Sequence, residues 1–371
     1  MLLPLVYCIV AAPLQDPGEN LSVILKDPVN QEQTSVITQY QDRMDPPKHS
    51  PKRLGLGNAR LRFDWQTAVY GFFPPDDQGT RKRYLRFHVF SQQRNGDVDP
   101  AMKVARELAR LWEYNFRVLG LDNSSTFNDG DVDVYLCDTG RPGGEQLFDY
   151  DSETPSAHGG VNTIYIYDMP TFNDPMEMAR EVAHEYGHAS LAPVGGYTSP
   201  EDWANGYLGE KLFLRHILRE FDAKRYFPED VMGVDAEKLR GWVHTNVDPL
   251  VIAAAERGPD LAALKDRSST GMDAYIGLGL YVDTIFSDAD FERTQLWLPG
   301  TQAKDYPDAI VTAFDEPPKK RALTIPDYLK GKKIWIPVGT SKLGGAEVVK
   351  RSTDWAQVVV GSNPITLTPQ H

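Results

Sequence analysis

The chain has 371 residues, a formal net charge of -13 and a pI of about 5.1, and 41% of its residues are hydrophobic. At about 100–200 residues per domain, this length allows two domains or one large domain with appendages. Nucleic-acid binding needs clustered Lys and Arg, but the compact basic runs at 48–53, 81–83 and 319–321 are all short. The charge pattern therefore argues against a nucleic-acid partner, and no stretch is apolar enough to predict a membrane span.

The N-terminal residues 2–12, LLPLVYCIVAA, are apolar and end in small residues. This pattern is typical of a short signal peptide, so we expect residues 1–15 to be removed and the protein to be secreted or periplasmic. The alternative is a buried N-terminal strand. Residues 16–55 are polar and contain prolines, which predicts a linker or a loosely structured lead-in. Cys137 lies in the alternating run DVDVYLC and is predicted to be a small core residue.

Four runs rich in aromatic and β-branched residues predict strands in the first half of the chain, at 61–73, 83–91, 132–137 and 161–168. Between the second and third runs, apolar residues recur at helical spacing from an N-cap at Asp99 to a stop at Gly120. The segment GRPGGEQ, between the last two runs, is predicted to be a loop. The pattern is mostly helical from 174 to about 290, and two strand-like runs follow at 332–339 and 356–361. These elements predict an α+β fold.

The motif HEYGH occupies residues 184–188, within a predicted helix whose N-cap is Asp174 and whose first residue is Pro175. Two histidines four residues apart lie on one helical face, so both imidazoles can bind one zinc ion. The intervening Glu185 can then act as a general base on a water molecule. The alternative is an amphipathic helix with two solvent-facing histidines.

Gly187 lies in the middle of this helix. A glycine there costs about 1 kcal/mol relative to alanine. We therefore expect another segment of the chain to approach the helix closely at this point.

A catalytic zinc ion needs a third protein ligand and an open position. Leu191 and Val194 stand three and six residues after His188, so the G-x-x-H continuation found in one large group of zinc enzymes is absent. The third ligand is therefore expected from a second helix, as in the other large group.

Such a helix is predicted from Ser199 onwards, with Pro200 as its first residue. Capping of this helix accounts for Glu201 and Asp202, so neither is predicted to be a ligand. Glu210 falls in the middle of an apolar stripe on the same helix, where an ionised carboxylate is expensive unless it is paired or metal-bound. We therefore predict Glu210 as the third ligand; the alternative is an ion pair with a distant Arg.

HEYGH, followed by a Trp-containing helix with an inward-facing glutamate, resembles the gluzincin branch of the zinc metallopeptidases. The resemblance implies Zn²⁺ bound by His184, His188 and Glu210, with Glu185 as the general base. It also implies a zincin-like domain, with a mixed sheet, an active-site helix and a mostly helical second half. There is one departure from the gluzincin pattern. Many gluzincins have an Asn directly before the ligand glutamate, whereas Asn205 of this chain is followed by Gly206.

The resemblance further implies a peptidase that hydrolyses peptide or protein substrates. Its catalytic domain would span residues 56–300, and residues 301–371 would form a β-rich C-terminal segment. The strand at 161–168 would be the sheet edge that pairs with extended substrate, although an ordinary internal strand is the alternative. The oxyanion donor is open between Tyr197, Tyr207 and Tyr275, and no substrate-binding residue is predicted.

Three other functions remain open. The first is a non-catalytic zincin-like binding module, against which the intact Glu185 argues, because a dead site has no need of a base. The second is a zinc hydrolase that acts on something other than a peptide. The third is a secreted structural or carbohydrate-binding protein in which the motif occurs by chance.

Overall fold

A seven-stranded mixed sheet forms the first half of the protein, in the strand order β1-β2-β3-β4-β5-β7-β6. The computed structural model describes residues 21–40, 65–92, 99–121, 131–148 and 162–370, apart from 28, 74, 199, 297, 299 and 317. The strands of the sheet are β1 Leu21–Lys26, β2 Gln33–Tyr40, β3 Trp65–Phe72, β4 Arg83–Ser91, β5 Val132–Leu136, β6 Gly143–Phe148 and β7 Asn162–Tyr167.

Strands β1 and β2 correct the prediction that residues 16–55 form a linker. They pair antiparallel with each other, and β2 continues the sheet to β3. Leu25 of β1 and Ile37 of β2 are buried in the main core. The prolines of this segment lie outside the two strands, so they do not interrupt the ladder. The predicted signal peptide at 1–15 lies outside the described residues.

Strand β6 forms one edge of the sheet and corrects two further predictions. Part of the predicted loop GRPGGEQ belongs to this strand, which runs antiparallel to β7. The strand predicted as the edge, 161–168, is β7, and it lies inside the sheet between β5 and β6. Gly143 and Gly144 make β6 difficult to predict from sequence, because glycine lacks the side chain that favours a strand.

Helix α1, Asp99–Glu113, continues into a π-helical turn at Tyr114–Val118, and Gly120 follows with a φ of 73°. The predicted helix and its glycine stop are therefore confirmed. Helices α1 and α2 contribute to one core with the sheet, and Phe87 of β4 packs edge-on against Tyr186 of α2. Cys137 is fully buried, as predicted, and burial raises the pKa of its thiol to about 12.

The second half of the chain is largely helical up to residue 315. Its helices are α2 Pro175–Ser190, α3 Asn205–Asp222, α4 Ala236–Asn246, α5 Asp248–Arg257, α6 Leu261–Lys265, α7 Ser269–Ile285, α8 Asp288–Leu296 and α9 Tyr306–Asp315. No helix in the described part of the chain is both long and apolar enough to cross a membrane. The α+β class is confirmed.

The C-terminal strands form two small sheets of three strands each, in the orders β10-β13-β8 and β11-β12-β9. They are β8 Arg321–Ala322, β9 Lys333–Pro337, β10 Ser341–Gly344, β11 Glu347–Arg351, β12 Trp355–Val359 and β13 Thr366–Pro369. Helix α9 occupies the beginning of the segment predicted as β-rich from 301. The sheets pack on the helices, since the Tyr281 hydroxyl of α7 donates to the Trp335 carbonyl at 2.8 Å.

Helices α2 and α3 cross at two glycines. A Cβ atom at Gly187 would lie 2.6 Å from the Asn205 carbonyl oxygen and 2.9 Å from the Gly209 Cα. Backbone cannot move aside as a flexible side chain can, so only glycine allows this crossing. The close approach expected at Gly187 is confirmed, and it sets the distance between the motif helix and the residues around the start of α3.

Gly187→Ala is therefore expected to destabilise the metal-free protein. Overpacking costs about 1–3 kcal/mol, and the better helix propensity of alanine returns about 1 kcal/mol, so we expect a net loss of up to about 2 kcal/mol. Thermal or urea unfolding in the presence of a chelator measures it. Gly241→Ala is the matched control, because a Cβ there meets nothing within 4 Å; it should stabilise slightly. Equal stability of the two variants would contradict the crossing.

Candidate metal centre

Helix α2 holds the two motif histidines in place. The Asp174 side chain caps the helix by accepting a hydrogen bond from the Met176 amide at 2.9 Å, as predicted. The predicted apolar face is buried, and its members are Met178, Ala179, Val182, Ala183, Tyr186 and Ala189. The opposite face carries His184 and His188, whose Nε2 atoms lie 3.2 Å apart.

A third group, Glu201, completes the cluster. One carboxylate oxygen lies 3.3 Å from the His184 Nε2, and the other lies 3.3 Å from the His188 Nε2. Within the part of the chain that the structure describes, these three residues form the group whose ligand atoms can meet around one metal ion.

The Nδ1 atoms of both histidines have acceptors of their own. The His184 Nδ1 faces Glu210 Oε2 at 3.4 Å, and the His188 Nδ1 faces Asn205 Oδ1 at 3.1 Å. Each acceptor favours the tautomer that carries its proton on Nδ1 and so leaves a lone pair on Nε2. Two lone pairs 3.2 Å apart would repel each other, so either a proton on one Nε2 atom or a cation near both must offset the repulsion.

Glu201 lies in the loop before α3, which differs from the predicted helix. The loop is fixed by a bridge between Gly195 and Trp203 and by the Ala204 amide, which donates to the Val194 carbonyl at 2.8 Å. These contacts compete with helix formation, so α3 begins at Asn205. Because Glu201 lies in this loop and not in the first turn of the helix, its side chain reaches the histidines. The predicted N-cap, Ser199, lies outside the described residues.

Glu210 is buried, as predicted, but it lies on the Nδ1 side of His184. Its other oxygen accepts a hydrogen bond from the Arg180 Nε at 2.8 Å. Burial raises the pKa of Glu210, but the hydrogen bond from His184 and the nearby cations outweigh it, so the pKa is lowered overall. Glu210 thus pairs with an Arg, which was the alternative given for it, and with a histidine Nδ1, and it lies outside the three-residue cluster. Glu201, which had been explained as a helix cap, lies beside the two Nε2 atoms instead.

Glu185 lies between the histidines in sequence and faces the edge strand. It is buried, and a Cβ atom at Gly144 would come within 2.6 Å of its Oε1. Burial raises the pKa of Glu185 to about 8. Among the described residues its Oε2 finds no hydrogen-bond partner. Burying a carboxylate oxygen without a hydrogen-bond partner costs free energy. Such a cost is expected for a group that takes part in catalysis.

Charge in this cluster is unbalanced towards the negative. Burial alone would lower the pKa of His184, but hydrogen bonds with Glu201 and Glu210 raise it to about 10. Burial would likewise raise the pKa of Glu201, but the two histidines lower it to about 2. Glu181 adds another carboxylate nearby. Arg180 and Lys211 offset part of this negative charge. Without a metal, protons on the imidazoles would have to balance the rest, whereas a divalent cation would balance it directly.

The donor set fits zinc. Tetrahedral coordination with bonds of about 2.0–2.1 Å separates neighbouring ligand atoms by about 3.3 Å. The two Nε2 atoms are 3.2 Å apart, and each lies 3.3 Å from a different oxygen of the Glu201 carboxylate. Two histidines and one glutamate also match the ligand set of catalytic zinc sites that keep an open position.

Of the three tyrosines predicted as oxyanion donors, Tyr207 is placed beside the cluster. Its ring lies edge-on to His184, with a centroid distance of 4.5 Å, and the Lys211 ammonium lies 5.0 Å from the ring centroid. Tyr275 instead packs in the core of α7 against Tyr306. Tyr197 is buried in the loop before α3 and interacts electrostatically with Arg267.

Besides Glu201, sequence reasoning missed two residues that surround this cluster. Asn205 had been noticed only as a departure from the gluzincin pattern, yet its amide nitrogen also lies 3.2 Å from the His188 carbonyl and donates to it. Arg180 sits one turn before His184 on the motif helix, a spacing that gives no signal of its own.

A scan against models of known protein families finds no match for this chain, and a search of curated proteins finds no significant match. Sequence similarity therefore places the chain in no family.

Proposed function

We propose that the protein is a zinc-dependent hydrolase of zincin-like architecture that cleaves peptide bonds. The observation that carries the proposal is the pair of Nε2 atoms facing each other beside Glu201, with both Nδ1 atoms already engaged. His184, His188 and Glu201 would hold the metal. A binding module would have no need for the orphaned base Glu185, so this residue supports a catalytic role.

When bound, zinc would polarise the scissile carbonyl group and lower the pKa of a water molecule. The Oε2 atom of Glu185 would accept a proton from that water and deliver it to the leaving amine. Glu210 and Asn205 would keep the two imidazoles oriented, as outer hydrogen-bond partners do in zinc enzymes. Tyr207, beside His184, is the best-placed candidate to donate a hydrogen bond to the developing oxyanion.

Strand β6 is the proposed binding edge for an extended substrate. One side of β6 pairs with β7, and no strand among the described residues pairs with its other side. Gly144 brings this strand directly against Glu185. A peptide that adds a strand there would therefore lie next to the general base, with its orientation fixed by main-chain hydrogen bonds.

The purified protein is expected to contain about one zinc ion per chain, because one cluster among the described residues offers the three protein ligands of a catalytic zinc site. Inductively coupled plasma mass spectrometry after expression in zinc-replete medium measures this content. A digest of a peptide library, with and without a chelator, then identifies the bond that is cleaved. Absence of zinc would contradict the metal centre, whereas bound zinc without peptide cleavage would favour a hydrolase of other substrates or a binding module.

A further inference from the structure

Gly206, the second residue of α3, lies directly against both histidine rings. A Cβ atom built there would lie 2.2 Å from the His188 Nε2 and 2.6 Å from the His184 Nε2. Zinc–nitrogen bonds are about 2.0–2.1 Å long. A methyl group at residue 206 would thus come almost as close to these nitrogens as a bound metal ion would.

The backbone does not require glycine at this position. Gly206 is absent from the described residues with a positive φ, so its conformation suits any L-residue. It also belongs to a helix, where alanine is favoured over glycine by about 1 kcal/mol. The demand for glycine therefore comes from the space beside the imidazoles.

Neither ring can easily swing away from a larger residue. The His184 Nδ1 is held by Glu210 and the His188 Nδ1 by Asn205, on the sides remote from Gly206. Moving a ring would break one of these hydrogen bonds and leave a buried polar group unpaired.

We propose that Gly206 is a positioning residue of the metal centre: the missing side chain keeps open the space between the two Nε2 atoms that the metal requires. This inference rests on the proposed function, because it concerns the same three ligands. It predicts that the smallest enlargement, Gly206→Ala, strongly weakens metal binding although no ligand residue is changed.

Zinc affinity, measured by competition with a chromophoric chelator, should fall by about 100-fold or more in Gly206→Ala, roughly as much as the loss of one ligand. The rise in melting temperature on adding zinc should disappear with it. Gly277→Ala is the matched control, because its Cβ would lie 2.7 Å from the Leu250 carbonyl oxygen at a different helix crossing. It should lower the melting temperature in a chelator but keep the zinc affinity of the wild type.

A second measurement does not depend on zinc. In a chelator, Gly206→Ala should lower the melting temperature when it is introduced into the wild type. It should lower it much less in a background that carries both His184→Ala and His188→Ala, because both clashing rings are then gone. Equal losses in both backgrounds, or zinc affinity in Gly206→Ala within a few-fold of the wild type, would overturn the inference. A wild type that binds no zinc would overturn the proposed function itself.

Discussion

Glu185→Gln is expected to lower kcat by about 100- to 10,000-fold, the usual contribution of a general base. Glutamine keeps the size of the side chain but cannot accept the proton from water. Because Glu185 is not among the three residues whose ligand atoms meet, zinc content should not change. Initial rates on a peptide from the library digest give kcat, and mass spectrometry of the same preparation gives the zinc content.

Glu177→Gln is the control for this prediction. It makes the same chemical change on the same helix, but Glu177 is exposed and pairs with Arg180 at 2.9 Å. Its activity should stay close to that of the wild type. The assigned mechanism would be wrong if Glu185→Gln kept the activity of this control.

The motif helix could be predicted from sequence because its signals are local. The cap at Asp174, the apolar face and the histidine spacing all lie within sixteen residues of helix and its flank. Even the crossing at Gly187 could be anticipated, since a mid-helix glycine needs a reason. The partner in that crossing, Gly209, could not be named, because nothing local links the two residues.

The ligand set shows where local reasoning fails. The cost of burying Glu210 was recognised correctly, but burial alone does not tell an Arg partner from a metal partner. Glu201 was assigned to a helical first turn, whereas a bridge between Gly195 and Trp203 keeps that segment out of the helix. Such tertiary contacts override the capping signals of a sequence, and they place Glu201 beside the Nε2 atoms of both histidines.

The sheet shows a second kind of failure. Strand β6 carries two glycines at its start, so its propensity is weak. Strands β1 and β2 contain Val, Ile and Thr but are short runs within a longer polar stretch, which led that stretch to be predicted as a linker. Their pairing partners supply the missing stabilisation, since each strand completes its hydrogen bonds only within the sheet. The strand nearest the general base is therefore the one that the sequence marks least clearly.

Glu201→Gln is expected to weaken zinc binding by about 100- to 1,000-fold, since each ligand of a zinc site contributes roughly 3–4 kcal/mol. Glu210→Gln should weaken it by only about 10- to 100-fold, the range for an outer hydrogen-bond partner. A neutral amide oxygen still accepts from the His184 Nδ1 but polarises the imidazole less. Zinc titration of the two variants, each prepared free of metal, compares them directly.

The relative size of the two losses in zinc affinity shows which carboxylate, Glu201 or Glu210, binds the metal. Both variants remove one charge from an acidic cluster, so a general electrostatic effect would weaken zinc binding about equally in each. Coordination by Glu201 predicts instead that its variant loses far more affinity. Asp202→Asn is a further control, because Asp202 neighbours Glu201 but is exposed and lies outside the cluster; it should bind zinc like the wild type. A larger loss in Glu210→Gln than in Glu201→Gln would restore Glu210 as the ligand and require the loop before α3 to move.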